Sequence, residues 1–294
     1  GNITFGTSES ERASLSFTAG TSQVNSTGAG STLSFNNQTL YNVSFTSTSL
    51  NTATINGTNT FNNFSVAGRT SEGVSALSLA ADQTINGTLT LSAGTNAAMR
   101  TFVRSNTIGT TRTLTCAAVD TLTDIDFRDI TIAGAAAPVS GTRLGDGKGN
   151  SGITFVAGAD KYWGVLGNGS WSATVWATSS GGAVSNDNFP LAQDTCIFEA
   201  GSPNSGNTAT INAGYNIGTI DMSARTTNTM ALACSQSPSI YGNWTNGTGV
   251  TLSGTGTLTF AGRGSHTITS AGRTFTQQFT IDTPSGSVTL QDAF

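Results

Sequence analysis

Leu40-Tyr41-Asn42-Val43-Ser44-Phe45 and Phe61-Asn62-Asn63-Phe64-Ser65-Val66 are variants of one short unit, and their resemblance decides the fold class. Each alternates apolar and small polar residues with the period of a β-strand. Ile125-Asp126-Phe127-Arg128-Asp129-Ile130-Thr131-Ile132 and Phe275-Thr276-Gln277-Gln278-Phe279-Thr280-Ile281 read as further copies. A second unit alternates with the first, with copies at Ala53-Thr54-Ile55-Asn56-Gly57-Thr58, Thr84-Ile85-Asn86-Gly87-Thr88-Leu89-Thr90-Leu91 and Thr210-Ile211-Asn212-Ala213-Gly214. Adjacent units lie roughly 20 to 25 residues apart, the range of coiled repeats.

Outward from these copies the same rhythm continues. Thr257-Leu258-Thr259-Phe260, His266-Thr267-Ile268-Thr269 and Ser287-Val288-Thr289-Leu290 alternate, with Gly-rich turns between them. Leu77-Ser78-Leu79-Ala80-Ala81, the nearest approach to a helix, reads as strand and turn because alternating positions and Asn86-Gly87 bracket it.

Composition agrees. Of 294 residues only 10% are charged, 36% are hydrophobic and 36 are glycine, whereas an average soluble domain is about 25% charged. Polar positions are filled by Thr, Ser and Asn, which favour strands and turns over helix surfaces. The expected fold is all-β: a β-solenoid, parallel β-helix-like, of about a dozen coils stacked at roughly 4.8 Å. Inward Val, Ile, Leu and Phe would form columns, and Asn side chains at equivalent turns would form ladders. Tandem β-sandwich modules are the alternative architecture, and disorder is the rival reading of the composition.

Three segments are expected: a first β-repeat module over 1–138, a Trp/Gly-rich junction over 139–203, and a second β-repeat module over 204–294 that continues beyond the chain. Gly1-Asn2-Ile3-Thr4-Phe5 is a shortened echo of Gly149-Asn150-Ser151-Gly152-Ile153-Thr154-Phe155. The chain reads as soluble, with no apolar run of membrane-spanning length and no leader at its start.

The net charge of −4, with cations spread singly, speaks against a nucleic-acid groove. Cys116, Cys196 and Cys234 show no Cys-x-x-Cys spacing, so buried free thiols are expected rather than a zinc site or a disulfide framework. No metal or cofactor is expected. Asp146-Gly147-Lys148-Gly149-Asn150 lacks the acidic density of a Ca²⁺ loop and reads as a tight turn.

The best carboxylate cluster is Asp120, Asp124, Asp126 and Asp129. In a strand Asp124, Asp126 and Arg128 share one face. An Asp124/Asp126 pair about 7 Å apart is geometrically admissible for glycoside cleavage, and an exposed edge with an Asp–Arg contact is the simpler reading. Asp124, Asp126 and Asp129 are therefore carried as candidates for an acidic surface cluster. His266, the only histidine, has no acid beside it in sequence and no Gly-x-Ser-x-Gly elbow accompanies it. Tyr162, Trp163, Trp171 and Trp176 are candidates for stacking on a ligand, against the simpler role of plugging a solenoid end or filling a junction core. Sequons at Asn42, Asn56, Asn86 and Asn246 follow from composition.

From Tyr162-Trp163 through Gly167-Asn168-Gly169-Ser170-Trp171-Ser172, Trp176 to Gly182, and Asn188-Phe189-Pro190-Leu191-Ala192-Gln193-Asp194-Thr195 to Phe198, the sequence resembles the repetitive β-rich virion proteins of tailed bacteriophages and prophages. Ile217-Gly218-Thr219-Ile220-Asp221-Met222-Ser223, Ile240 to Thr245 and Thr267 to Phe275 continue the likeness, which covers about half the chain well. The resemblance implies a structural, adhesive, non-enzymatic role in a tail fibre or other virion appendage outside the host cell. It implies as partners other virion proteins or copies of the chain, in a homotrimer for instance, with a host-surface glycan as a candidate and neither nucleic acid nor membrane insertion. A capsid decoration protein or bacterial surface adhesin is the alternative, and a polysaccharide depolymerase is the third reading.

Overall fold

The computed structural model describes residues 3–4 and 20–293. Nearly all regular structure is β, apart from one 3₁₀ turn at Asn186–Asn188 capped by the Ser185 hydroxyl. Successive strands stack in parallel register, forming a β-solenoid of about 12 turns. The chain divides into two compact units: the first holds the described residues up to Thr95 with Met99–Leu144 and Gly149–Phe155, and the second holds Asn96–Ala98, Gly145–Lys148 and Val156 onward. The unit boundary at Phe155 falls inside the segment that composition marks as a junction. The Trp-rich stretch opens the second unit.

In the first unit each coil contributes one strand to each of two sheets. One sheet stacks Gly30–Ser34, Thr52–Asn56, Gly73–Leu79, Met99–Ser105 and Ile125–Arg128. The other stacks Gln23–Ser26, Thr39–Phe45, Asn59–Val66, Gln83–Leu91, Arg112–Val119 and Ile130–Ala133. Because side chains alternate along each strand, every coil drops its apolar residues onto those of the previous coil. Leu33, Ile55 and Leu79 form one column, with coils of 22 and 24 residues. Leu40, Phe61 and Ile85 form another. Phe61 and Phe64 stack at 5.3 Å, and all these side chains are buried.

The repeat units pair as read for Leu40–Phe45 and Phe61–Val66: Asn42 lies over Asn63, Val43 over Phe64 and Ser44 over Ser65. Thr84–Leu91 stacks on the strand Asn59–Val66, in the first unit's column, while Ala53–Asn56 belongs to the opposite sheet. The shared Thr-Ile-Asn string therefore does not mark a common position in the coil. Local strand propensity is the same on both sheets, and only the length of the intervening turns decides which sheet a strand joins.

The second unit has three sheets. One stacks Asp160–Trp163, Thr195–Ile197, Thr219–Asp221, Trp244–Thr245, His266–Thr269 and Val288–Leu290; the second stacks Gly169–Ser170, Asn207–Ile211, Met230–Cys234 and Val250–Ser253; the third stacks Asn216–Ile217, Ser239–Ile240, Leu258–Ala261 and Phe279–Asp282. Cys196, Ile220, Trp244 and Ile268 form a buried column with a period of 24 residues. The strand Trp176–Ala177 pairs antiparallel with Asp160–Trp163 and covers the outer edge of that sheet.

Amide ladders appear inside the coil as well as outside it. Asn59 and Gln83, both buried and one coil apart, join through Asn59 Nδ2 to Gln83 Oε1 at 3.0 Å, and Gln83 Nε2 donates to Gly57 O at 2.7 Å. Arginines tie corners in the same way: Arg69 Nη1 donates to Leu50 O at 2.9 Å, and buried Arg225 Nη1 donates to Glu199 O and Ala200 O at 2.8 Å. Two glycines sit over buried cysteines. Gly134 (φ 86°) approaches Cys116 and Gly254 (φ 94°) approaches Cys234 so closely that an added Cβ would lie 2.6 and 2.3 Å from the cysteine carbonyl oxygens. A side chain at either position meets both a left-handed backbone and a backbone clash.

Candidate functional site

The acid cluster read as a surface lies in the interior. Asp124, Asp126 and Asp129 are 2%, 1% and 0% exposed. The strand Ile125–Arg128 is buried on both faces, so the alternation that would have put Asp126 and Arg128 in solvent does not hold there. The reason is the neighbouring coil, which supplies Arg100. Its Nε and Nη2 donate to Asp126 Oδ1 at 2.9 and 2.6 Å, its Nη1 reaches Asp124 Oδ1 at 3.3 Å, and Nη2 also donates to Arg143 O at 2.8 Å. Arg143 Nε and Nη2 hold the two oxygens of Asp124 at 2.7 and 2.9 Å. Asp129 accepts from the Gly109 amide at 2.9 Å and lies 3.6 Å from Arg128 Nε. Buried charges persist when paired and hydrogen-bonded. Here they tie three coils together and offer no free carboxylate to a substrate. Asp120 is separate from the other three and exposed.

The aromatic candidates are likewise interior. Trp163, Trp171 and Trp176 are 0%, 0% and 1% exposed. Trp163 stacks on Phe198 at 5.3 Å, Trp171 and Trp176 meet at 4.7 Å, and Trp176 Nε1 donates to Trp171 O at 3.0 Å. No indole face is open to a sugar ring. Half-buried Tyr162 pairs between Ile197 and Ala177 in the sheet. Trp163, Trp171 and Trp176 form an aromatic core with Phe198 in the second unit.

The single histidine and the cysteines are also enclosed. His266 is buried, with Nδ1 2.9 Å from Gly242 O and Nε2 3.1 Å from Ala261 O. Neither nitrogen faces a carboxylate. Cys116, Cys196 and Cys234 are buried and free. Burial pushes Cys116 and Cys234 up to about 12, and burial together with Asp194 raises Cys196 well above the ordinary value. A thiol that stays protonated is a poor nucleophile. Asp146 is engaged by its own turn, accepting from Lys148 N at 2.9 Å and Lys148 Nζ at 3.0 Å.

What the first unit does present outward is a polar groove on the sheet that contains Thr39–Phe45. Two adjoining hollows of about 450 and 430 Å³ share Thr90 and Asp120. The first is lined by Gln23, Asn42, Ser44, Asn63, Ser65 and Thr88, and the second by Ser92, Thr121 and Thr123 among others. Among these, sequence reading singled out only Asp120 as a chemical group. The signal for the rest was the repeat itself, since Asn42/Asn63 and Ser44/Ser65 occupy matching places in the two copies.

No family model, curated protein or solved structure matches the chain. Among the described residues no helix is long and apolar enough to cross a membrane.

Proposed function

We propose that the chain is a structural and adhesive segment of a phage fibre or related virion appendage, in which stacked coils provide rigid length and the coil surface meets the host. The observation that carries this reading is the use made of the ionisable groups. Arg100, Asp124, Asp126 and Arg143 come from successive coils and close on one another, which strengthens a stack and serves no visible chemistry. The Tyr162–Phe198 string, which bears the likeness to virion proteins, builds the aromatic core of the second unit. Long parallel stacks with low surface charge suit a protein that must resist unfolding outside a cell. Depolymerase activity would require an accessible pair of acids, and Asp124 and Asp126 are closed off.

The test is immunogold electron microscopy of phage particles whose genome encodes the chain, using antibodies raised against the purified protein. Gold on a tail appendage supports the reading. Gold confined to the capsid lattice would favour a decoration protein, and absence from washed particles would overturn the virion assignment.

A further inference from the structure

We infer that the outer groove of the first unit is a binding site for an extended neutral glycan lying along the stacking direction. The inference deepens the adhesive half of the proposed function and rests on it for its biological setting. Gln23, Asn42/Ser44, Asn63/Ser65, Thr88/Thr90 and Asp120 line it on successive coils. Four coil steps of ~4.8 Å give a groove roughly 19 Å long. One step is close to the advance of one pyranose ring along an extended chain, so successive coils face successive sugars.

The hydrogen-bond pattern shows which groups are left for a ligand. Asn63 Oδ1 accepts from the Thr88 backbone amide at 2.8 Å, so its Nδ2 must donate, and it does so to Asn42 Oδ1 at 3.1 Å. That orients Asn42 with both hydrogens of Nδ2 free among the described residues. Gln23 Nε2 donates to Ser44 Oγ at 2.9 Å, and Ser44 and Ser65 share a hydrogen bond of 2.6 Å, which uses one hydroxyl proton and leaves the other. Asp120 Oδ2 accepts from Thr90 Oγ1 at 2.6 Å, and its Oδ1 has no partner among the described residues. The groove thus presents an amide donor, a hydroxyl and a carboxylate acceptor in sequence. Sugar hydroxyls, each both donor and acceptor, match that series. The lining holds one carboxylate and no cation, which disfavours an acidic polymer, and it holds no exposed ring, so recognition rests on hydrogen bonds rather than stacking.

The test uses the purified full chain on an array of neutral, acidic and amino-bearing oligosaccharides. Four variants accompany it: Asp120→Ala, Asn42→Asp (which keeps the acceptor for Asn63 and removes the free donor), Ser65→Tyr (which fills the groove from outside) and Thr115→Tyr as a control on the same sheet. Circular dichroism melting checks that each variant is folded. Binding to neutral oligosaccharides is expected, weakened about tenfold or more by the three groove variants and unchanged by Thr115→Tyr. Overturning results are no binding to neutral glycans at about 1 mM, preference for acidic or amino sugars, or binding that the folded groove variants all retain. Gold on an appendage without glycan binding would remove this site and leave the fibre reading standing. Groove-dependent binding by a chain absent from particles would do the reverse.

Discussion

Arg100 grips Asp126 with Nε at 2.9 Å and Nη2 at 2.6 Å from Oδ1, across two adjacent coils and away from water. The same guanidinium reaches Asp124 Oδ1, which Arg143 Nε also holds. Removing one member leaves an uncompensated charge in the interior. Arg100→Met is expected to cost about 3–5 kcal/mol in urea unfolding, whereas a triple apolar replacement of Arg100, Asp124 and Asp126 should recover part of that loss. A triple variant that costs the sum of the three single replacements would show that the charges act independently.

The Asn59–Gln83 ladder makes a related prediction for uncharged groups. Asn59→Ala strips a partner from Gln83 Oε1 and from Gly57 O in the buried corner. A loss of about 1–3 kcal/mol is expected by chemical denaturation. A loss near zero would mean that water replaces the amide.

Gly254 packs against the Cys234 backbone with φ 94°. Gly254→Ala is expected to destabilise the second unit by more than about 1 kcal/mol, whereas the same change at an unstrained glycine stabilises by about 0.4–1 kcal/mol. The comparison is with Gly201→Ala, where an added Cβ meets nothing within 4 Å. Similar melting points for the two variants would contradict the close approach.

The buried cysteines set the response to alkali. Cys116 and Cys234 have folded values of about 12 against an ordinary 9.0, so above pH 9 the unfolded chain sheds thiol protons that the folded chain retains. Their stabilising contribution is complete below pH 9 and is lost as pH rises toward 12. Denaturant midpoints should therefore fall over that interval, and less so in a Cys116→Ala/Cys234→Ala variant. At pH 8 a thiol-specific disulfide reagent should find no cysteine in the native protein and 3 after unfolding. Rapid native labelling would show that the thiols are not enclosed.

Alternation and repeat spacing were enough to read the stacked parallel coils, and the paired copies at Asn42 and Asn63 lie in register as their sequences suggest. Three things needed the third dimension. Thr84–Leu91 shares its string with Ala53–Asn56 yet joins the other sheet, because turn length and not strand composition selects the sheet. Ile125–Arg128 looks half-exposed along the chain, but Arg100 arrives from a different coil to neutralise its acids, and nothing within that strand signals the partner. The indoles of Trp163, Trp171 and Trp176 have the composition of a sugar platform, and only their packing on one another and on Phe198 reveals a core. The groove was half visible, since its Asn and Ser rows repeat while Asp120 joins them after a longer coil.

The most direct measurement is electron cryomicroscopy of intact particles carrying the chain, at a resolution that separates successive β-coils. Appendage density layered at ~4.8 Å is expected, with the Arg100–Asp126 contact inside the stack. Particles whose appendages lack that layering, with the chain recovered only as a free protein, would contradict it.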